Sequence, residues 1–262
     1  MTMTLIDAGV NLCNAQFDKD REAVLARAKA ANISNLLLIG TELAQSKQAL
    51  DDANRYGFFS TAGIHPHYAV DAADNFITEL TTLLQQPNCK AVGECGLDYN
   101  RDFSPRDIQR EVFAKQLTLA NTLDLPAYIH ERDASDDLYH LVKEHNTTGV
   151  VHCFTGNKTA LTRYLDLGLY IGITGWVCDE RRGLELQQLI QYIPNDRLLI
   201  ETDAPFLIPR NIKPKPKLHR NEPAYLPYIC QMIASLKQTD AQTIALHTQQ
   251  NTERLFRLTT RQ

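Results

Sequence analysis

Five short segments of this 262-residue chain carry side chains that bind metals or move protons. They are Gly63-Ile64-His65-Pro66-His67, Gly93-Glu94-Cys95-Gly96-Leu97-Asp98, His130-Glu131-Arg132-Asp133, His152-Cys153-Phe154-Thr155-Gly156 and Glu201-Thr202-Asp203-Ala204-Pro205. Each closes an apolar run rich in Ile, Leu, Val or Ala, and so stands where a β-strand gives way to a loop. Inward-facing imidazoles and carboxylates that converge with open coordination positions hold catalytic divalent metals. Glu94, His130, His152 and Asp203 are the predicted ligands. Oxygen-rich sites favour Mg²⁺ or Mn²⁺ and imidazole draws Mn²⁺ or Zn²⁺, so the residue types leave the ion open. A lone strand histidine is more often a packed core residue, and a lone aspartate such as Asp133 or Asp203 often caps the next helix. Recurrence at corresponding positions of four units favours one metal centre over four coincidences.

The surrounding charges suit an anionic substrate. The loop Pro205 to Pro223 carries Arg210, Lys213, Lys215, Lys217, His219 and Arg220, with no acid before Glu222. Such a run is commonly a solvated loop, yet this one begins two residues after Asp203. Its alternating Lys-Pro stretch is stiff and presents charge at low entropic cost. Arg132 and the Arg181-Arg182 pair add to it. Trp176 and Tyr99, in loops at the same ends of the strands, offer rings for base stacking or for packing on a neighbouring loop. His140, His145 and His247 lie on predicted helices and read as packed or solvated; His219 is left undecided. The chain has no G-x-S-x-G elbow and no P-loop, and His152 and Cys153, as neighbours on a strand, face opposite ways. Metal-assisted hydrolysis is the chemistry that remains.

The elements that position these residues alternate regularly. Strand-like runs span 5–11, 35–41, 58–65, 90–98, 127–133, 149–155, 169–175 and 198–203, separated by helical patterns over 18–31, 43–55, 71–85, 106–124, 135–146, 158–167 and 181–192. Two further helices end near Leu258. Eight strand–helix units make a (β/α)₈ TIM barrel, with chemistry at the C-terminal ends of its strands. The doubly wound alternative expects a glycine-rich turn after the first strand, and Asp7-Ala8-Gly9-Val10-Asn11 is not one. No linker or composition shift divides the sequence, so residues 1–262 are expected to form a single domain. With 44% hydrophobic and 22% charged residues the chain is not disordered, and its net charge of −4 repels nucleic acid weakly. Any nucleic-acid function must then rest on a local basic patch or on metal ions. Six scattered cysteines without a C-x-x-C pair, no long apolar stretch and no signal-like first segment predict a cytoplasmic monomer with reduced thiols and no membrane contact.

The five segments, together with Arg220-Asn221-Glu222-Pro223, resemble the signatures of the TatD family of metal-dependent deoxyribonucleases, its bacterial members above all, from about residue 5 to residue 258. The resemblance implies an amidohydrolase-like barrel and Mg²⁺-dependent 3′→5′ exonuclease action on single-stranded DNA, with RNA also attacked. It carries the metal role onto Glu94, His130, His152 and Asp203. Many members hold a second metal on an H-x-H pair in strand 1; here Gly9 and Asn11 occupy those positions, so one firmly held metal is expected. In the implied mechanism Glu94 and Asp203 are catalytic, Asp203 as general base to a metal-activated water. His65 and Arg132 contact nonbridging oxygens, while Trp176, Lys213, Lys215 and Arg220 hold the strand. DNA repair or nucleic-acid turnover would be the setting. Hydrolysis of another bond, such as a D-aminoacyl-tRNA ester, is the rival activity, and a non-catalytic scaffold the rival class.

Overall fold

The computed structural model describes residues 3–216 and 219–258; Lys217 of the basic loop lies outside them. Along the described chain run β1 (Leu5–Val10), α1 (Arg21–Ala30), β2 (Ile33–Leu38), α2 (Leu43–Tyr56), β3 (Phe59–Ala62), α3 (Phe76–Leu84), β4 (Cys89–Asp98) and α4 (Arg106–Leu123). They are followed by β5 (Ala127–Arg132), α5 (Ser135–His145), β6 (Gly149–Val151), α6 (Lys158–Asp166), β7 (Tyr170–Ile173), α7 (Leu184–Leu189), β8 (Leu198–Ile200), α8 (Leu226–Leu236) and α9 (Ala241–Phe256). The eight strands form one sheet in sequence order with parallel pairing, which is the (β/α)₈ barrel architecture.

Two compact units make up the chain. One comprises Leu38–His152 and Lys158–Tyr170, and so holds β3 to β6 and α2 to α6. Its helices bury one stripe each. In α2 the stripe is Ser46, Ala49, Leu50 and Ala53, and the helix stops where Gly57 turns left-handed at φ 77°. In α4 it is Gln109, Val112, Phe113, Gln116, Leu117 and Ala120. Ala62, Ile64, Phe76, Leu80, Val92, Val112 and Leu119 share one apolar core between strand and helix. The two glutamines are the exception in that stripe, and they clamp backbone. Gln116 accepts from the Ile64 N–H at 2.8 Å and donates to its carbonyl at 3.0 Å. Gln109 accepts from the Asp98 N–H at 2.8 Å and donates to the carbonyls of Asp98 and Ser104.

The other unit comprises Met1–Leu37, Cys153–Asn157 and Ile171–Gln262. Here α9 packs on β1 and β8 and against α8, burying Ile244, Leu255 and Phe256. Asn251 on α9 donates to the carbonyls of Asn195 and Leu198 and so ties the start of β8 to the helix.

Several strands are shorter than the sequence predicts, for identifiable reasons. The third ends at Ala62, because Pro66 opens a 3₁₀ turn over Pro66–Asp71 that delays α3 to Phe76. The sixth ends at Val151: Cys153 has φ 46°, and its N–H goes to the Glu201 carboxylate at 2.5 Å instead of to a strand. His152 and Cys153 therefore do not alternate on a strand. The eighth ends at Ile200, with Asp203 left-handed at φ 53° and its N–H on the Gly9 carbonyl. The helix expected over 181–192 starts only at Leu184, since the Asp179 carboxylate first captures the N–H groups of Arg181 and Arg182.

Candidate metal centre

In β4 the period of two puts Glu94, Gly96 and Asp98 on the same side of the strand. Gly96 is paired with His130 of β5, and a Cβ there would lie 2.0 Å from the His130 carbonyl oxygen. Gly96 also has φ 142°, so glycine alone fits both the space and the backbone. The close approach sets the His130 ring between the carboxylates two residues to either side. Its Nδ1 is 3.0 Å from Glu94 Oε1 and its Nε2 is 3.2 Å from Asp98 Oδ2.

Two more imidazoles reach the same Glu94 oxygen: His152 Nε2 at 2.8 Å and His65 Nε2 at 3.2 Å. The ligand atoms of His65, Glu94 and His130 all lie within 4.8 Å of one another. Glu94 and His152 are buried at 6% and 5% exposure. Burial works to raise the Glu94 pKa, but His152, His65 and the hydrogen bonds of His130 and His152 hold it well below the carboxylate range. Burial likewise pulls His130 down, and its bonds to Asp98 and Glu94 more than offset that, leaving its pKa raised.

The two nitrogens of His65 can be told apart. Its Nδ1 accepts the His67 N–H at 3.0 Å, and burial lowers its pKa to about 4. A neutral ring carries one proton, which then sits on Nε2. The ligand atoms of His65, Glu94 and His130 could together hold a divalent ion, and His152 Nε2 meets the same Glu94 oxygen.

Asp98 and His67 were absent from the predicted site, yet they back it. Asp98 Oδ2 takes His67 Nε2 at 2.8 Å as well as His130, and Oδ1 accepts the N–H groups of Asn100 and Arg101. Burial opposes its charge, but these hydrogen bonds hold its pKa far below the ordinary carboxylate value. Carboxylate, histidine and ligand site thus form the chain that orients metal-binding imidazoles in other proteins. Strand period two from Glu94 and the His65-x-His67 spacing were the available signals. Arg132 closes β5, half-buried. Tyr99 is engaged on both counts: its hydroxyl donates to Asp137 at 2.6 Å and Arg106 lies 4.4 Å over its ring.

Asp203 belongs to the other unit, where its Oδ1 accepts Asn11 Nδ2 at 2.8 Å. Neither Asp133 nor Asp203 caps a helix: α5 follows Ala134 without a side-chain cap, and among the described residues no helix begins near Asp203. Arg220, expected to meet substrate, is buried at 9% exposure. Its guanidinium binds Asp20 through two nitrogens at 2.8 Å and the Gln16 carbonyl, and covers the Phe17 ring at 4.7 Å. Neighbouring Glu222 pairs with Arg27 at 2.7 Å, so the Arg220-to-Pro223 segment is tied to α1. Trp176 is half-buried, with Nε1 on the Arg182 carbonyl and the Arg182 guanidinium 4.8 Å over its ring, which occupies one stacking face. Lys213 and Lys215 are exposed. His145 bonds the Leu141 carbonyl within α5, as expected of a helical histidine, and His219 is exposed in the loop.

Known proteins resemble the whole chain. The family described as TatD related DNase matches residues 6–257. The "3′-5′ ssDNA/RNA exonuclease TatD" of Klebsiella pneumoniae (strain 342) is 48% identical over 256 residues, 96% of this chain and 97% of that protein. The protein of the same name from Salmonella typhimurium is 47% identical, over 96% of this chain and 98% of its own length. Among solved structures, the TatD homologue YJJV of Escherichia coli K12 superposes with a TM-score of 0.90 at 29% identity, covering 99% of this chain and 100% of its own. A lactonase from Listeria monocytogenes shares the fold alone, at 13% identity and a TM-score of 0.63 over 99% of this chain and 96% of its own.

Proposed function

We propose that this chain, which belongs to the TatD family of DNases, is a metal-dependent exonuclease that hydrolyses single-stranded DNA and RNA from the 3′ end. The observation that carries the reading is the meeting of three imidazoles on one buried carboxylate, Glu94, at the strand ends of a barrel. Glu94, His130 and His152 would hold a divalent metal, Mg²⁺ in our reading, which when bound neutralises phosphoryl oxygens and makes water more acidic. His65, whose Nδ1 already accepts the His67 N–H, would offer a hydrogen bond from Nε2–H to a nonbridging oxygen. Asp203, oriented by Asn11, accepts the proton of the attacking water. Arg132 supplies positive charge to the phosphate, and Lys213 and Lys215 hold the strand electrostatically, so binding should weaken with salt. Arg220 is left out, because Asp20 and Gln16 take up its donors.

Six cysteines outside any disulfide support a reducing compartment, which we take to be the cytoplasm, with a monomer acting in DNA repair or turnover. Among the described residues no helix is long and apolar enough to cross a membrane.

The test is digestion of an oligonucleotide labelled at either end, with Mg²⁺ or with EDTA. Stepwise shortening from the 3′ end, stopped by EDTA and missing in Glu94→Ala, is expected. Full activity in Glu94→Ala would remove the assigned site. No cleavage with any divalent metal would remove the nuclease reading and turn attention to aminoacyl esters.

A further inference from the structure

A cleft of about 750 Å³ opens in the unit that contains Asp203, within the range of roughly 300–1,000 Å³ typical of ligand pockets. Its lining includes Pro205, two residues beyond Asp203, and combines the rings of Trp176 and Phe206 with the cations Arg182, Arg210 and Lys215 and the acids Asp179 and Glu180. Phe206 is 48% exposed, a large apolar ring left in water beside that opening. Trp176 forms a wall and is held there by the Arg182 carbonyl and guanidinium. The wall approaches the loop closely: a Cβ on Gly175 would stand 2.1 Å from the Leu207 carbonyl oxygen. Arg182 donates its Nε–H to the buried Asp179 at 3.2 Å, and Arg210 forms an ion pair with the same carboxylate oxygen at 3.0 Å. The shared carboxylate draws the two guanidiniums together. Lys215 adds a third positive charge.

Flat apolar rings next to paired guanidiniums match one ligand chemistry above others, an unstacked base joined to a phosphate. We infer that this cleft binds one nucleotide of the single strand, stacking its base on Phe206 and holding its phosphate on Arg182 and Arg210. The inference rests on the nuclease reading and adds to it a subsite outside the metal centre. Because the base must leave its stack to enter, the cleft selects single strands over duplexes whatever their sequence.

The chain's sole tryptophan lies in this cleft, so its fluorescence reports occupancy directly. The experiment titrates the intact protein, with Mg²⁺ present, with a thymidine hexamer whose phosphorothioate linkages resist hydrolysis, while an unmodified hexamer is used to follow cleavage. Saturable change in Trp176 emission is expected, absent with a duplex of the same length. Phe206→Leu should weaken binding about 5- to 100-fold, and Phe206→Tyr, which keeps the ring, should bind as the unaltered protein does. Arg210→Gln should weaken binding and flatten its salt dependence. Metal-dependent cleavage without change at Trp176, or native affinity in both Phe206→Leu and Arg210→Gln, would overturn the subsite and leave the nuclease standing. A protein that neither binds nor cuts the hexamer would remove both.

Discussion

Replacing Asp98 by Asn tests whether the metal centre is oriented from behind. Asp98 Oδ1 accepts two backbone N–H groups, from Asn100 at 3.0 Å and Arg101 at 2.8 Å, and Oδ2 faces His67 and His130. In the Asp98→Asn variant the amide oxygen must stay with the two backbone donors. The NH₂ group then faces His130 Nε2 and turns that nitrogen from donor into acceptor. The His130 proton moves to Nδ1, the nitrogen beside Glu94 that a metal would need. Loss of such a backing carboxylate commonly lowers metal affinity about 10- to 100-fold, which corresponds to roughly 1.4–2.7 kcal/mol. Calorimetric titration with Mn²⁺ at neutral pH measures this, and imidazole nitrogen chemical shifts report the tautomer. Affinity within twofold of the unaltered protein, with His130 still protonated on Nε2, would refute the orienting role. Raised affinity would refute the tautomer argument as well.

Two further substitutions probe the unit that carries Asp203. Asp7 is fully buried, and burial raises its pKa from 3.8 to about 7 despite bonds from Thr202 and Gly9. Its folded pKa exceeds the unfolded one, so the stability it contributes is complete below pH 4 and lost as pH rises to about 7. Asp7→Asn should remove that slope and gain on the order of 4 kcal/mol relative to the unaltered protein at pH 8; urea unfolding at pH 4 and pH 8 decides, and parallel pH profiles for the two proteins would refute it. Arg220→Ala should destabilise by about 2 kcal/mol. The loss stays below that of a fully buried pair because the Asp20 side chain keeps 30% exposure and a contact with Arg27. Unchanged unfolding with weakened oligonucleotide binding would instead return Arg220 to the substrate.

How far the site could be read from sequence depended on whether a residue acts through its own type or through a partner. The alternation of apolar runs and amphipathic stretches marks eight strand–helix units, and strand ends rich in imidazole and carboxylate mark where they converge. Hence Glu94, His130 and His152 were legible, and the structure brings them together. Element ends were overread where a side chain captured backbone, as Glu201 does after β6 and Asp179 before α7, because such local capture competes with regular structure invisibly. Asp98, Gln109 and Gln116 escaped notice for a different reason. Each needs a pairing that only the folded register supplies: Gly96 opposite His130, and α4 against the segments of Ile64 and Asp98. The two glutamines sit seven residues apart on a buried helical face, where apolar residues would pack at less cost. A polar side chain retained at such a spacing signals a backbone group in need of a partner. Arg220 shows the converse error. Its charge is plain in the sequence, while Asp20, which neutralises it, lies 200 residues away, so a structural tie looked like a substrate contact. Charge in a loop predicts a ligand only once the fold has shown which charges it has already paired.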